Sequence, residues 1–459
     1  MSDLLQEDFI LFYYNLTRKE YFIKNNNNNN NNNVCSDFLK LTLLFERILQ
    51  HTSMCNDILI RIQQLILETR IYKGEHEITY MLLFTFFKYY PKLASELIHK
   101  MYHSNSSISW RDIKYLCHYV RRHSLEKEKH PIIGICIQIV HSTLKKDIDI
   151  IDQSQQNSLT NIQYSEPISY LAKWIPRENK KFDWLNELLV LDWYKNNTNK
   201  SKMLYRKMVS KANRCLDLMP CSKNIHNTNT IKNAVITDRL SYFIKEAFLI
   251  MESGCLESCS ERIDILNRQW IQMNRSNTSN NDFIPFLDLS FHHTTESLYT
   301  AIAIALLISE KSSYTNRIMV IDSQPLWVNL DNYESFFDKM VFFHTITKSN
   351  RGTSANIIRG IELLSEAMTS STCTSTCTIV YIHGGQSIEY KRILDIIPTS
   401  SRIVFWNLSN KYIDSISLDK RFFYMSGLSS ALLSNLDLLQ KKRWLDSFQF
   451  VCTILDRIV

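Results

Sequence analysis

Asp288, Ser290 and His292 alternate along the chain directly after the apolar run Phe283-Ile284-Pro285-Phe286-Leu287. That run suits a strand covered on both faces, which places the three polar side chains at its carboxyl end. In open α/β sheets, ligands sit at such ends. A second group of residues has chemistry suited to phosphate. Between Lys173 and Arg214 stand eleven basic residues against four acidic ones, an excess of seven that equals the formal net charge of the whole chain, +7. Lys173, Arg177, Lys180, Lys181, Lys202, Arg206, Lys207, Lys211 and Arg214 are the candidate nucleic-acid contacts, with Trp174, Trp184, Trp193, Tyr194 and Tyr205 interleaved. Phosphate attraction would supply most of the affinity, and the aromatics could stack on unpaired bases. Two other readings stand beside it: a solvated helix face over core tryptophans, and a surface for an acidic protein partner.

Catalytic patterns are not found. With only 8 glycines the chain has no phosphate-cradling loop, and Gly384-Gly385 lacks the spacing of one. No G-x-S-x-G elbow occurs, and His141 and His226 have no partner at a catalytic or metal-ligand spacing. The 11 cysteines include no CxxC pair; Cys255/Cys259 and Cys373/Cys377 share only an x3 spacing. Reduced thiols in a reducing compartment are the simplest reading, against a zinc site. The expectation is a non-catalytic binding protein.

The elements that must position these residues fall into two regions. Hydrophobic content of 45% and aromatic content of 12% support sizeable cores. No run of about 18 uncharged apolar residues predicts a membrane span, and the acidic start MSDLLQEDF does not read as a secretory signal. Residues 1–35 form an N-terminal segment with nine consecutive asparagines, Asn25 to Asn33, expected as a loop because they bury no apolar area. Residues 36–273 carry successive helical periodicities, such as Ile58, Ile62, Leu65 and Ile66, and predict an all-α, HEAT-like helical repeat domain. Residues 274–282 are a polar linker. Residues 283–459 alternate strands and helices: strands at 283–287, 316–322, 325–330, 376–385 and 401–409, the second and third as a hairpin at a sheet edge. That order predicts a doubly wound α/β domain.

The stretches GEHEITYMLLFTFFKYYP, SWRDIKYLCHYV, AKWIPRE, KSKMLYRKMVSKANRCLDLM, PFLDLS, RIMVIDSQPLWVNL, RGTSANI, IVFWNLS and MSGLSSALL occur in that order. Together, over roughly residues 70 to 459, they resemble an uncharacterised family of plants, fungi and giant DNA viruses. That family is similar in architecture to the TROVE/Ro ribonucleoproteins, helical repeats followed by a von Willebrand factor A domain. The resemblance implies RNA or a protein as partner; the lack of a spanning apolar run and the unpaired cysteines give the expectation of no membrane and of the cytoplasm (or a virion, if the source is viral). It implies a Ro-like ribonucleoprotein or scaffold; the alternative is a protein-binding adaptor or virion-associated structural protein.

Within the resemblance, Asp288-x-Ser290-x-His292 is similar to the Asp-x-Ser-x-Ser metal-ion-dependent adhesion motif, with His292 in the place of the last serine. Thr353, after Gly352, matches the loop threonine, and Ile382-His383-Gly384 stands where an aspartate ends the fourth strand. Mg2+ demands oxygen ligands, whereas imidazole suits zinc and its neighbours. Three readings of this degenerate site follow: a lost site with no cofactor, a weak Mg2+ site on Asp288, Ser290 and Thr353, and a transition-metal site using His292 or His293 with His383.

Overall fold

The computed structural model describes residues 3–17, 34–51, 56–103, 109–157, 168–218, 239–254, 259–274, 282–290, 295–349, 355–370, 377–385, 388–409, 411–442 and 445–458. The chain divides into two compact units: an α/β unit of Met1–Glu68, Tyr72–Glu75 and Val235–Val459, and a helical unit of Thr69–Ile71 and His76–Ala234. Among the described residues no helix is long and apolar enough to cross a membrane.

The α/β unit is built on one six-stranded sheet, ordered β3-β2-β1-β4-β5-β6. The strands are β1 (Phe283–Asp288), β2 (Arg317–Ile321), β3 (Leu326–Asn329), β4 (Thr378–His383), β5 (Arg402–Asn407) and β6 (Phe422–Ser426). All pairings are parallel except β2 with β3. The short hairpin at one edge is as expected, and every residue of β1 is buried, as its unbroken apolar run requires. Strand order reverses between β1 and β4, the switch point where such sheets open a crevice. Helix α12 (Thr295–Lys311) packs along β1, its Ala301 to Ile308 run wholly buried. In α14 (Ile357–Ser370), Gly360 lies so near the sheet that a Cβ would meet Ile321 Cδ1 at 2.5 Å. The elements not anticipated include β6, α13 (Phe336–Ser349) and the N-terminal helix over Asp3–Tyr14.

The division differs from the expected one. Helices α1 (Asp3–Tyr14), α2 (Val34–His51), α10 (Arg239–Glu252) and α11 (Ser260–Asn274), with α3 (Asn56–Ile71) as far as Glu68 and so Ile58, Ile62, Leu65 and Ile66, belong to the α/β unit rather than to a separate helical array or tail. The reason is where their apolar faces go. Helix α1 packs on β6 and on α17 (Ser447–Leu455), while α10 packs on α12 and α13. Trp270 of α11 stacks on Phe336 with centroids 4.4 Å apart, and Phe243 of α10 meets Trp270 edge-on at 5.7 Å. Periodicity shows that a helix has an apolar face, not which neighbour that face covers. The expected asparagine loop and most of the 274–282 linker lie outside the described residues.

The helical unit contains α4 (His76–Tyr89), α5 (Pro91–His103), α6 (Arg111–His123), α7 (Pro131–Asn157), α8 (Asp183–Tyr194) and α9 (Asn199–Leu218). Helix α7, 27 residues long, contacts α5, α6, α8 and α9. Its polar hub is Asp112, 1% exposed, at the start of α6. The Asp112 carboxylate accepts from Arg70 (2.6 and 2.8 Å), from Tyr80 Oη (2.7 Å) and from His76 Nδ1 (2.7 Å).

Candidate functional site

The carboxyl ends of the parallel strands form a row of polar residues. Asp288 ends β1, His383 ends β4, Asn407 ends β5 and Ser426 ends β6; all four are fully buried. His383 is in register with Asn407, and Asn407 with Ser426. Partners of His383, Asn407 and Ser426 come from the other end of the chain. Tyr14 Oη lies 2.5 Å from His383 Nε2, and Asn407 Nδ2 donates to the Tyr14 carbonyl at 3.1 Å. Ser426 Oγ donates to the Tyr13 carbonyl at 2.7 Å, as does Lys73 Nζ at 3.2 Å. Asn15 exchanges two bonds with the backbone of Ile413, and Thr17 Oγ1 donates to the Ser409 carbonyl. Tyr13, Tyr14, Asn15, Leu16 and Thr17 are at most 1% exposed. Residues 13–17 therefore fill the β4–β6 side of the edge at which such sheets bind ligands.

His383 is fixed by these contacts. Its Nδ1 accepts from the Gly385 amide at 3.1 Å, which leaves the proton on Nε2 to donate to Tyr14 Oη. Its ring stacks on Tyr381, 5.1 Å between centroids and 13° between planes. With both nitrogens engaged, this imidazole has no lone pair for a metal in this arrangement, so the transition-metal reading loses its best-placed ligand. Asp288 keeps two oxygen donors near the switch point. Ser290 donates to its Oδ1 from both backbone N (2.8 Å) and Oγ (2.6 Å), and Tyr381 Oη donates to Oδ2 at 3.1 Å. Burial pushes the Asp288 carboxyl up to about 6, with nearby Asp322 adding to the rise and the Ser290 and Tyr381 bonds opposing it. Asp288 and Ser290 thus fit a hard cation by donor type, while being bonded to each other. His292, His293 and Thr353 lie outside the described residues, among which no group of three or more His, Cys, Asp or Glu is placed to hold a metal.

This geometry has a measurable consequence. A carboxyl whose folded pKa is raised contributes stability that is fully present below its unfolded value of 3.8 and is lost as pH rises through about 6. Above that pH the burial of the charge costs about 3 kcal/mol. Asp288→Asn is expected to stabilise the fold at pH 8 by about 1–3 kcal/mol and to leave it unchanged near pH 4. Mg2+ or chelator should leave the wild-type melting temperature where it was. A Mg2+-specific rise in melting temperature that Asp288→Asn abolishes would show a working ion site instead.

In the helical unit the nine candidate nucleic-acid residues divide into two groups. Lys173 ends a short turn (Tyr170–Lys173), Arg177, Lys180 and Lys181 follow it, and Lys202, Arg206, Lys207, Lys211 and Arg214 lie on α9. Three of them face carboxylates: Lys202 on Glu187 (2.9 Å), Arg206 on Glu178 (3.7 Å) and Lys211 on Asp152. Arg177, Lys180, Lys181, Lys207 and Arg214 are exposed, with no ion-pair partner among the described residues. The aromatics expected to stack on bases are partly core. Tyr205 is buried, and Trp193 packs edge-on against His141 at 4.9 Å. Trp174 and Trp184 remain part-exposed, with Lys114 5.0 Å over the first and Arg121 4.7 Å over the second.

Two features escaped the sequence reading. His141, read there as lacking a partner, has Nδ1 2.9 Å from Asp192 Oδ2. The two are 51 residues apart, so no local spacing announces the pair. Burial holds the His141 pKa below the ordinary range despite Asp192, and among the described residues its Nε2 has no hydrogen-bond partner. The other feature is the set of cations on α6, outside the 173–214 stretch. His226, Cys255 and Cys373 lie outside the described residues.

Comparison with known proteins gives no match: neither a protein-family model, nor a curated protein, nor a solved structure is similar to this chain.

Proposed function

We propose that this chain is a non-catalytic binding protein whose helical unit holds RNA, in the manner the Ro-like resemblance implies. Its α/β unit is then a von Willebrand factor A-like domain with a degenerate ion site. The observation that carries the reading is the group of exposed cations Arg177, Lys180, Lys181, Lys207 and Arg214, which no described carboxylate neutralises. Exposed cations without counter-charges are what a phosphate backbone needs, since releasing its condensed ions drives association. The six-stranded sheet with Asp288 and Ser290 at a strand end supports the A-like reading.

RNA affinity should fall steeply with salt. Arg177→Glu, Lys207→Glu and Arg214→Glu together should weaken RNA binding by about tenfold or more and flatten the salt slope by about 2, at roughly 0.7 per phosphate contact in single strands. Capture of RNA from an extract should be abolished by nuclease and unchanged by chelator. A second reading, a protein-binding adaptor, is favoured by Leu39 and Leu43, one turn apart on α2 and 54% and 53% exposed. A protein partner retained after nuclease, with no RNA bound at any salt concentration, would select it.

A further inference from the structure

Helix α6 carries a cationic stripe that the charge count along 173–214 does not include. Arg111, Lys114, His118, Arg121 and Arg122 recur at intervals of three, four, three and one. That spacing keeps them on one helical side. The opposite side, Ile113, Leu116, Cys117 and Val120, is buried in the unit. The turn between residues 174 and 182 lies against the stripe. Phe182 meets Tyr115 at 5.2 Å and His118 at 5.5 Å, both edge-on. Lys114 reaches over both Trp174 (5.0 Å) and Phe182 (5.5 Å), Arg111 over Tyr115 (5.2 Å), and Lys181 over Phe182 (5.6 Å).

Charge here is crowded and only partly compensated: Arg122 acts on the Glu77 carboxyl, while the cations nearer the start of the helix have no such partner among the described residues. Glu128 pairs with Arg121 at 2.8 Å, and Asp112 is committed to Arg70, His76 and Tyr80. No carboxylate among the described residues pairs with Arg111, Lys114 or Lys181. Burial holds His118 below the ordinary imidazole range, and Lys181, Arg122, Arg121 and His123 push it further down. Lys114 is lowered by burial and by Arg111. These cations repel one another, so an anion laid across them relieves repulsion as well as gaining attraction.

We propose that α6 and the 174–182 turn form a ladder for an unpaired nucleic-acid strand, with Arg111, Lys114 and Lys181 on phosphates and the cation-covered ring of Trp174 as a stacking platform. The inference rests on the RNA-binding reading above and names its site and strand state. The ladder is roughly 16 Å long from Arg111 to Arg122 at 1.5 Å per residue, a footprint of a few nucleotides. A part-exposed Trp174 ring beside phosphate-binding cations favours a single strand, because a duplex keeps its base faces hidden.

The test uses the full chain and three probes: a fluorescein-labelled oligouridylate 15-mer, an RNA hairpin of equal length, and polyglutamate as competitor. Arg111→Gln, Lys114→Gln and Lys181→Gln together should weaken oligouridylate binding about tenfold and flatten the salt slope by about 2. Trp174→Leu should cost about fivefold or more with the slope unchanged, and Trp174→Phe should restore most of it, since stacking and not charge is lost. Thermal melts confirm that each variant is folded. Oligouridylate binding that ignores both sets of substitutions, yet is weakened by the Arg177, Lys207 and Arg214 reversals, would overturn this inference and leave the RNA-binding reading standing. Equal or tighter hairpin binding would overturn the single-strand assignment, and displacement by polyglutamate at equal charge would put an acidic peptide there instead. Absence of binding to either RNA would overturn both.

Discussion

Tyr14→Ala should destabilise the α/β unit by about 3–5 kcal/mol, the range for truncating a large buried aromatic. Tyr14 is fully buried, and its ring meets Tyr424 edge-on with centroids 4.9 Å apart. Its hydroxyl is the partner of His383 Nε2, which the substitution leaves buried and unsatisfied. Tyr14→Phe separates the two contributions. It keeps the ring in place and orphans only the imidazole N–H, so it should cost about 1–3 kcal/mol. The measurement is urea denaturation of the full chain, followed by a signal from the α/β unit such as Trp406, which is wholly buried in β5 with Nε1 donating to the Gly427 carbonyl at 2.9 Å. If Tyr14→Ala melts like wild type, residues 13–17 do not hold the strand ends as described.

The second large effect belongs to the helical unit. Asp112→Ala removes the acceptor shared by Arg70, His76 and Tyr80 and strands a guanidinium whose side chain is only 12% exposed. Removing one member of a buried pair costs about 3–5 kcal/mol, because the remaining charge has nothing to offset its lost hydration. Burial raises the Asp112 pKa, but the His76 bond, Arg70 and the Tyr80 bond outweigh it and hold the carboxyl below the ordinary range. A depressed carboxylate contributes stability that is present above its unfolded value and is lost as pH falls through its folded one. Wild-type stability should therefore drop on acidification below about pH 4, and Asp112→Ala should lose that part of the acid dependence. An unchanged acid transition in the variant would mean the hub contributes little.

The parts of the fold legible in the sequence are those with a strong local signal. The unbroken apolar run of β1, the two runs that become β2 and β3 on either side of a short break, and the 3.6-residue periodicities of α4 to α9 all appear as strands or helices where expected. Helix α1 gave no such signal: Phe9 to Tyr14 are all buried, so there is no polar face to set a period. Strand β6 is five residues long, too short for periodicity to separate it from a helical turn. The site was less legible still. Asp288 and Ser290 were found by their place at a strand end, but the partners of His383, Asn407 and Ser426 come from Tyr13 and Tyr14, more than 360 residues earlier. The basic stretch was visible as a charge count, yet which cations are spent on Glu187, Glu178 and Asp152 depends on helix packing. The α6 stripe was overlooked because Asp112 and the aromatic residues dilute its composition, and only the helix gathers its cations on one side.

The central claim, that the helical unit is the nucleic-acid-holding part of the chain, is tested most directly by photocrosslinking. The full-length protein would be bound to an oligouridylate carrying 4-thiouridine, irradiated, digested, and its crosslinked peptides identified by mass spectrometry. Crosslinks are expected in residues 111–122 and 173–214, reduced by high salt and indifferent to chelator. Crosslinks confined to residues 283–459, or none above a nuclease-treated control, would contradict it.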